Sequence, residues 1–429
     1  MTTSREGASR PLRPGRPTRD RSAEQRGELA VAYPDDIDPD DEREPVWSPS
    51  IRALPIPGIR KMVNMAAEMD DVIHLSIGQP DFPMPEHVVE AHIQALRDGK
   101  TGYTMDAGLP QMLEAVAEYY SHRYDRPLEP ENVLITTGAT EAMYLAIAAT
   151  AAPGRQFLIP DPTFPLYAPL IRMNGAEVKP IPTRAEHGHQ IDPQEVIDNI
   201  GMRTFGIILN SPSNPTGTVY PRETIEAIVQ EAAYRGVYVF SDEVYDHLLL
   251  DEMEYPSVLR CTSDLDHVMA VSSLSKTFSM AGLRIGWLIS SQGAIKKLQR
   301  FHIFTTTVAN TPAQWAGVAA LKGGMACVDE MLEAYRQRRD RIVELVSKTP
   351  HLTSYRPQGA FYIFPSLPPN TDATNLATRM LKETGVCVVP GDAFGDSCPN
   401  SLRISYAASM DDIERAFERI IPWMEKQGF

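Results

Sequence analysis

The stretch Ser272-Ser273-Leu274-Ser275-Lys276-Thr277-Phe278-Ser279-Met280-Ala281-Gly282-Leu283-Arg284-Ile285-Gly286 sets one lysine among small hydroxyl residues and one arginine eight positions later. The apolar run Val268 to Val271 just before it reads as a strand. A lysine at a strand end can form an imine with an aldehyde cofactor. The hydroxyls of Ser273 and Ser275, with the Arg284 guanidinium, can hold a phosphate carried by that cofactor.

Outward from this stretch, short β-branched runs alternate with amphipathic helical segments. Strands are predicted at Val133 to Thr136, Gln156 to Ile159, Thr204 to Asn210 and Val237 to Ser241, with helices at Thr140 to Ala152 and Glu223 to Arg235 between them. Such alternation predicts an α/β fold, a mainly parallel sheet covered by helices on both faces. After a helical region from Asp329 to Ser347, shorter strands at Ala360 to Phe364, Val386 to Val389 and Leu402 to Ser405 precede a last helix, Asp411 to Lys426. The expected division is an arm and part of a small domain over 46–90, a large domain over 91–325 and a smaller α+β domain over 326–429.

In open parallel sheets, ligands bind at the C-terminal ends of the strands. Gly138-Ala139-Thr140 follows one strand and opens a helix whose free N–H groups favour a phosphate. Asn210-Ser211-Pro212-Ser213-Asn214-Pro215-Thr216-Gly217 follows another, a stiff polar segment that can aim Asn214 at a ligand oxygen or serve as a plain turn. Ser241-Asp242-Glu243-Val244-Tyr245 puts an acid at the end of a buried strand, where it can cap a helix or pair with a buried cation. A protonated pyridine nitrogen is such a cation, and Tyr245 can donate to the phenolic oxygen of the same ring. The residues thus point to pyridoxal 5′-phosphate.

Composition excludes several rivals. The 429 residues carry a formal net charge of -15, against a nucleic-acid partner held by phosphate neutralisation. The four cysteines, Cys261, Cys327, Cys387 and Cys398, are widely spaced, so no metal site is expected, and a reducing cytoplasm is. His187-Gly188-His189 reads as a surface loop and His74 as a strand residue. No apolar run approaches the ~20 residues of a membrane span. Residues 1–27 carry seven arginines against three acids, and residues 28–45 eight acids against one arginine, so 1–45 is expected to be a disordered extension.

From about Ile51 to the C-terminus the chain resembles the fold type I aminotransferases of class I/II, the aspartate aminotransferase superfamily. The resemblance rests on Gly78-Gln79-Pro80-Asp81-Phe82, Tyr103-Thr104 with Ala107-Gly108-Leu109-Pro110, Asn214-Pro215-Thr216-Gly217, Ser241-Asp242-Glu243-Val244-Tyr245, Ser273-Leu274-Ser275-Lys276, Gly359-Ala360-Phe361-Tyr362 and Arg403-Ile404-Ser405-Tyr406-Ala407. It implies that Lys276 carries the cofactor and then shuttles the substrate proton, that Asp242 pairs with the ring nitrogen, and that Asn214 and Tyr245 contact the phenolic oxygen. Phe164 would stack on the ring. Gly138, Ala139, Thr140, Ser273, Ser275 and Arg284 would surround the phosphate, with Tyr103 from a second subunit of a homodimer. Arg403 would grip the substrate α-carboxylate beside the Gly78 backbone.

The implied reaction is transfer of an amino group between an α-amino acid and a 2-oxo acid. The same machinery can instead run elimination or replacement, for example on a sulfonium amino acid such as S-adenosylmethionine. Dicarboxylate-specific members tend to place a basic residue just after the phosphate turn. Thr140-Glu141 stands there in this chain, which argues against aspartate or glutamate as amino donor. Gln111-Met112-Leu113 departs from the family where an acid and an arginine are frequent.

Overall fold

Continuous burial of the central strands, with alternate residues entering cores on opposite faces, dictates a sheet sandwiched between helices. In the computed structural model, which describes residues 48–52 and 54–427, the strands are β1 (Ile73–His74), β2 (Val133–Thr136), β3 (Gln156–Asp161), β4 (Glu177–Pro182), β5 (Thr204–Asn210), β6 (Tyr238–Asp242), β7 (Val268–Ser273), β8 (Gly286–Ile289), β9 (Tyr362–Ile363), β10 (Val386–Cys387), β11 (Val389–Pro390) and β12 (Leu402–Ser405). The extension expected at 1–45 lies outside the described residues. Seven strands form one sheet in the order β2-β8-β7-β6-β5-β3-β4, all running one way except β8, which is antiparallel to both its neighbours.

Each central strand sends alternate side chains to opposite faces. Val133, Ile135, Ile207, Leu209, Val239, Val268 and Ala270 join one core. Leu134, Ile208, Phe240, Met269 and Val271 join the other, packed under the helix Gly138–Thr150 through Ala142, Met143, Leu145 and Ala146. The α/β architecture is therefore as the sequence predicts, and its strands lie within one or two residues of the expected spans. β4 and the antiparallel β8 carry weaker signals. The alternating polar residues of Glu177–Pro182 leave it half-exposed as an edge strand, and the four residues of β8 follow directly on the cofactor-type turn.

The expected strand Val386 to Val389 is two strands with different partners. β10 pairs in parallel with β1, Ile73 opposite Val386, while β11 pairs antiparallel with β12, Val389 opposite Arg403. β12 in turn pairs with β9, so Arg403, Ser405 and Tyr362 sit on one small antiparallel sheet. The span expected at Ala360 to Phe364 shrinks to Tyr362–Ile363 because Ala360, at φ 57, takes a left-handed conformation incompatible with a strand. Asp161 at the end of β3 accepts from the Ser397 hydroxyl at 2.9 Å and the Asp396 amide at 3.2 Å, which joins the large sheet to the segment after β11. His187-Gly188-His189 is not a surface loop throughout. His187 is exposed, but His189 is buried, its Nδ1 3.2 Å from the Thr183 hydroxyl and its pKa pushed down to about 4 by burial.

Gly206, in the middle of β5, shows how tightly the second core is filled. A Cβ there would stand 2.5 Å from the Phe157 ring and 2.6 Å from the Phe240 ring, which are themselves stacked at 5.6 Å. Gly206→Ala should therefore destabilise the protein by about 1–3 kcal/mol through overpacking. A chemical-denaturation midpoint equal to that of the wild type would show that the rings yield freely.

Candidate active site

The strand-end residues converge on one cavity of about 280 Å³, at the C-terminal edge of β2, β5, β6 and β7. Lys276 stands on the short helix Leu274–Thr277, which Ser273 caps by accepting from the Ser275 amide at 3.3 Å. Its Nζ donates to the Gly78 carbonyl at 2.6 Å. Protein surrounds the amine on the sides not open to the cavity. Desolvation, reinforced by the Arg284 and Arg403 charges and opposed by Asp242, brings its pKa down to about 8.

Ala139 and Thr140, at the start of the helix Gly138–Thr150, line the cavity with Ser273, Ser275 and Arg284. Arg284 holds a left-handed backbone, φ 56, which costs about 1–2 kcal/mol for a side-chain-bearing residue. Its guanidinium donates to the Ala281 carbonyl at 3.1 Å and the Thr137 carbonyl at 3.4 Å. Gly138 does not line the cavity. It backs onto Arg284, whose Nη2 lies 2.5 Å from where a Cβ at Gly138 would be, so its part is to leave room for the guanidinium.

Asp242 ends β6 and is 6% exposed. The Tyr167 hydroxyl donates to its Oδ2 at 2.6 Å and the Val244 amide to its Oδ1 at 3.3 Å. It caps no helix. Burial raises its pKa despite these bonds and the charge of Lys276. Among the described residues no cationic side chain bonds to it, which is the setting a protonated ring nitrogen would complete.

Arg403, on β12, is 1% exposed. It donates to the Ser76 carbonyl at 2.5 Å and to Asn214 Oδ1 at 3.1 Å, its Nε has no partner, and its guanidinium lies 4.5 Å over the Tyr362 ring. No carboxylate among the described residues pairs with it, so a buried fork of donors faces the cavity ready for one. Asn214, Phe164, Gly78 and Tyr245 also line the cavity; Tyr103 does not, and is 88% exposed.

The geometry adds residues that sequence reasoning gave no role: Tyr167, Tyr362, Ser76 and Asn210. Tyr362 lies in the quoted Gly359-Ala360-Phe361-Tyr362, which was a signal. Nothing in the sequence ties Tyr167 to an aspartate 75 positions away.

A mainly parallel α/β sheet that presents a depressed-pKa lysine, a buried acid and two arginines to one cavity defines a fold type I pyridoxal-phosphate enzyme. Residues 70–420 match the family described as aminotransferase class I and II. An aspartate aminotransferase of Pyrococcus horikoshii is 36% identical over 371 residues, covering 84% of this chain and 93% of its own. The crystal structure of an aspartate aminotransferase from Thermotoga maritima superposes with a TM-score of 0.84 at 32% identity, covering 89% of this chain and 100% of that one. An alanine aminotransferase from Pyrococcus furiosus superposes at 0.85 with 30% identity and the same coverage. The chain belongs to the class I and II aminotransferases. It is a pyridoxal 5′-phosphate-dependent transferase that moves an amino group between an α-amino acid and a 2-oxo acid. These relatives do not favour the elimination or replacement chemistry that the same residues allow.

The depressed pKa of Lys276 has a measurable consequence. Only the neutral amine attacks an aldehyde, so its reactive fraction grows as pH rises through about 8. The rate at which apoenzyme takes up pyridoxal phosphate should climb with a midpoint near that pH; a midpoint at the ordinary lysine value of 10.5 would contradict the site's electrostatics.

Proposed function

We propose that the cavity binds pyridoxal phosphate through the residues it gathers and that the preferred amino donor carries an uncharged side chain. The observation behind the donor class is the set of cations in the cavity wall. Among the described residues these are Lys276, Arg284 and Arg403. Lys276 serves the cofactor aldehyde, Arg284 the phosphate and Arg403 the α-carboxylate. Within one protomer no further described cation lines the cavity for a distal carboxylate, and just after the phosphate turn, where dicarboxylate-specific members tend to be basic, stands Thr140-Glu141. The relatives' names, aspartate in one case and alanine in another, show that this fold serves both kinds of donor.

When bound, the cofactor supplies an aldehyde carbon that takes up amino groups and a protonated ring that draws in the electron pair left at the substrate Cα. The rest is the chain's own work. Asp242 keeps the ring nitrogen protonated, and the buried Tyr167 bond fixes which way its carboxylate points. Tyr245 would donate to the phenolic oxygen, with Asn214 also in reach, and Phe164 would cover the ring face; all three line the cavity. Ala139, Thr140, Ser273, Ser275 and Arg284 hold the phosphate, with Gly138 giving Arg284 its place. Arg403 would hold the α-carboxylate next to Gly78, and Lys276, whose Nζ lies against the Gly78 carbonyl, would accept the Cα proton and return it at C4′.

The site is read as shared within a homodimer. His302 Nδ1 lies 3.0 Å from the Asp106 carbonyl and Thr311 donates to the Gly102 carbonyl at 2.7 Å, which sets the loop bearing Tyr103 and Met105 against the segment bearing Phe304. All three side chains are more than half exposed, an apolar group suited to a second copy, and Tyr103 would reach the partner's phosphate site from there. A large domain over 91–325 and a small one over 326–429, and a cytoplasmic setting, complete the proposal. No helix among the described residues is long and apolar enough to cross a membrane.

Two measurements test this reading. In a screen of single amino acids that follows release of the 2-oxo acid, kcat/KM should be highest for donors with neutral side chains, and Arg403→Ala should lower it for every donor by the equivalent of about 2–5 kcal/mol. Aspartate or glutamate ranking first would overturn the donor class. Sedimentation at micromolar concentration should give a dimer; a monomer with full activity would refute the shared site.

A further inference from the structure

The hydroxyls of Tyr245 and Tyr362 lie 2.9 Å apart, both buried, with their rings edge to face at 5.9 Å. Tyr362 stands on β9 opposite Ser405, so its ring passes beneath Arg403, two residues along the neighbouring strand. Its hydroxyl fills the space beside Gly78, where a Cβ would sit 2.3 Å from it, and Gly78 is the residue whose carbonyl receives Lys276 Nζ. One side chain thus touches the carboxylate clamp by its ring face and the phenol contact by its hydroxyl.

A phenol has a single proton. If Tyr245 spends that proton on the cofactor's phenolic oxygen, its own oxygen is left as an acceptor, and the bond between the two tyrosines can then run only from Tyr362 to Tyr245. We propose that Tyr362 is a positioning residue of the transamination reaction, which acts through Tyr245 by fixing its hydroxyl and strengthening it as a donor. This rests on the reading of Tyr245 given above. Within a chain of hydrogen bonds each donor polarises the next, and in a buried site no water competes for either hydroxyl.

The sign of the effect follows. Donation to the phenolic oxygen stabilises its negative charge, and that charge is what attracts a proton to the adjoining nitrogen of the lysine-bound cofactor. Weaker donation makes the oxygen a stronger attractor and raises the pH at which the nitrogen deprotonates. The probe is the absorption of the holoenzyme titrated with base, for the wild type, Tyr245→Phe, Tyr362→Phe and the double variant. Tyr245→Phe should raise the midpoint most. Tyr362→Phe should raise it by roughly a tenth to a third as much. The double variant should match Tyr245→Phe alone, because the second hydroxyl works only through the first. A midpoint that moves in Tyr245→Phe but not in Tyr362→Phe, or shifts that add in the double variant, would overturn the inference and leave the role of Tyr245 standing. No shift in either single variant would remove Tyr245 from the phenolic oxygen, and the inference with it.

Discussion

Charge buried without an opposite charge is the constraint around which the site is arranged. Asp242 and Arg403 are both more than nine-tenths buried, and among the described residues neither bonds to a side chain of the other sign. Removing such ions from water costs several kcal/mol each. The protein offsets part of it with neutral dipoles: a phenol and an amide at Asp242, a carbonyl and a side-chain amide oxygen at Arg403. A direct ion pair at either place would be more stable in isolation and would close the site. Dipoles hold each charge in place and keep one side of it open for a cationic ring or a carboxylate.

The same logic governs the phosphate turn. Glu141 sits one residue past Thr140, and a free carboxylate there would repel a phosphate held, as proposed, at this turn. It is directed elsewhere: the Thr137 amide donates to it at 2.6 Å, the Thr306 hydroxyl bonds to it, and His302 Nε2 lies 3.5 Å away. Burial alone would raise its pKa, but these partners outweigh burial and hold it at about 2, while the carboxylate raises the pKa of His302 in return. His302 also reaches the Asp106 carbonyl. The turn is thereby linked to the loop that carries Tyr103, so the proposed phosphate site and the proposed subunit contact share one network.

The sequence made the large sheet readable because buried parallel strands are continuous apolar runs and the chemical residues fall directly after them. Lys276, Asp242, Asn214 and Arg284 are legible in that way, and the cavity gathers them. Arg403 is legible from the resemblance alone, since an arginine inside a two-faced buried strand has no periodicity signal of its own. What stays hidden depends on contacts between distant segments. The split at Val388 arises because β1 and β12 claim opposite ends of one apolar run. Gly138 reads as part of a phosphate turn, yet its hydrogen atom matters for the guanidinium behind it. The burial of His189 reflects packing against Phe364, at 5.6 Å between rings and far along the chain.

Strand parity decides which acid can serve. Ile208, Phe240 and Val271 all point into the core beneath the helix Gly138–Thr150. Two residues further along the same strands, the same face presents Asn210, Asp242 and Ser273, and all three line the cavity. Asn210 pairs with Asp242 and Asp242 with Val271, so the register puts amide and acid side by side at the sheet edge. Glu243, the next residue, belongs to the opposite face. It is enclosed by the Ser241 and Ser257 hydroxyls and the Val258 amide, and burial lifts its pKa to about 7. A slip of one residue in β6 would exchange these two carboxylates and leave the cavity facing a group already committed to structure. The apolar residues at 239 and 240 resist that slip because each would enter the wrong core. The hydrophobic alternation that makes the sheet therefore also selects which acid faces the cavity, and fold and site are set by one pattern.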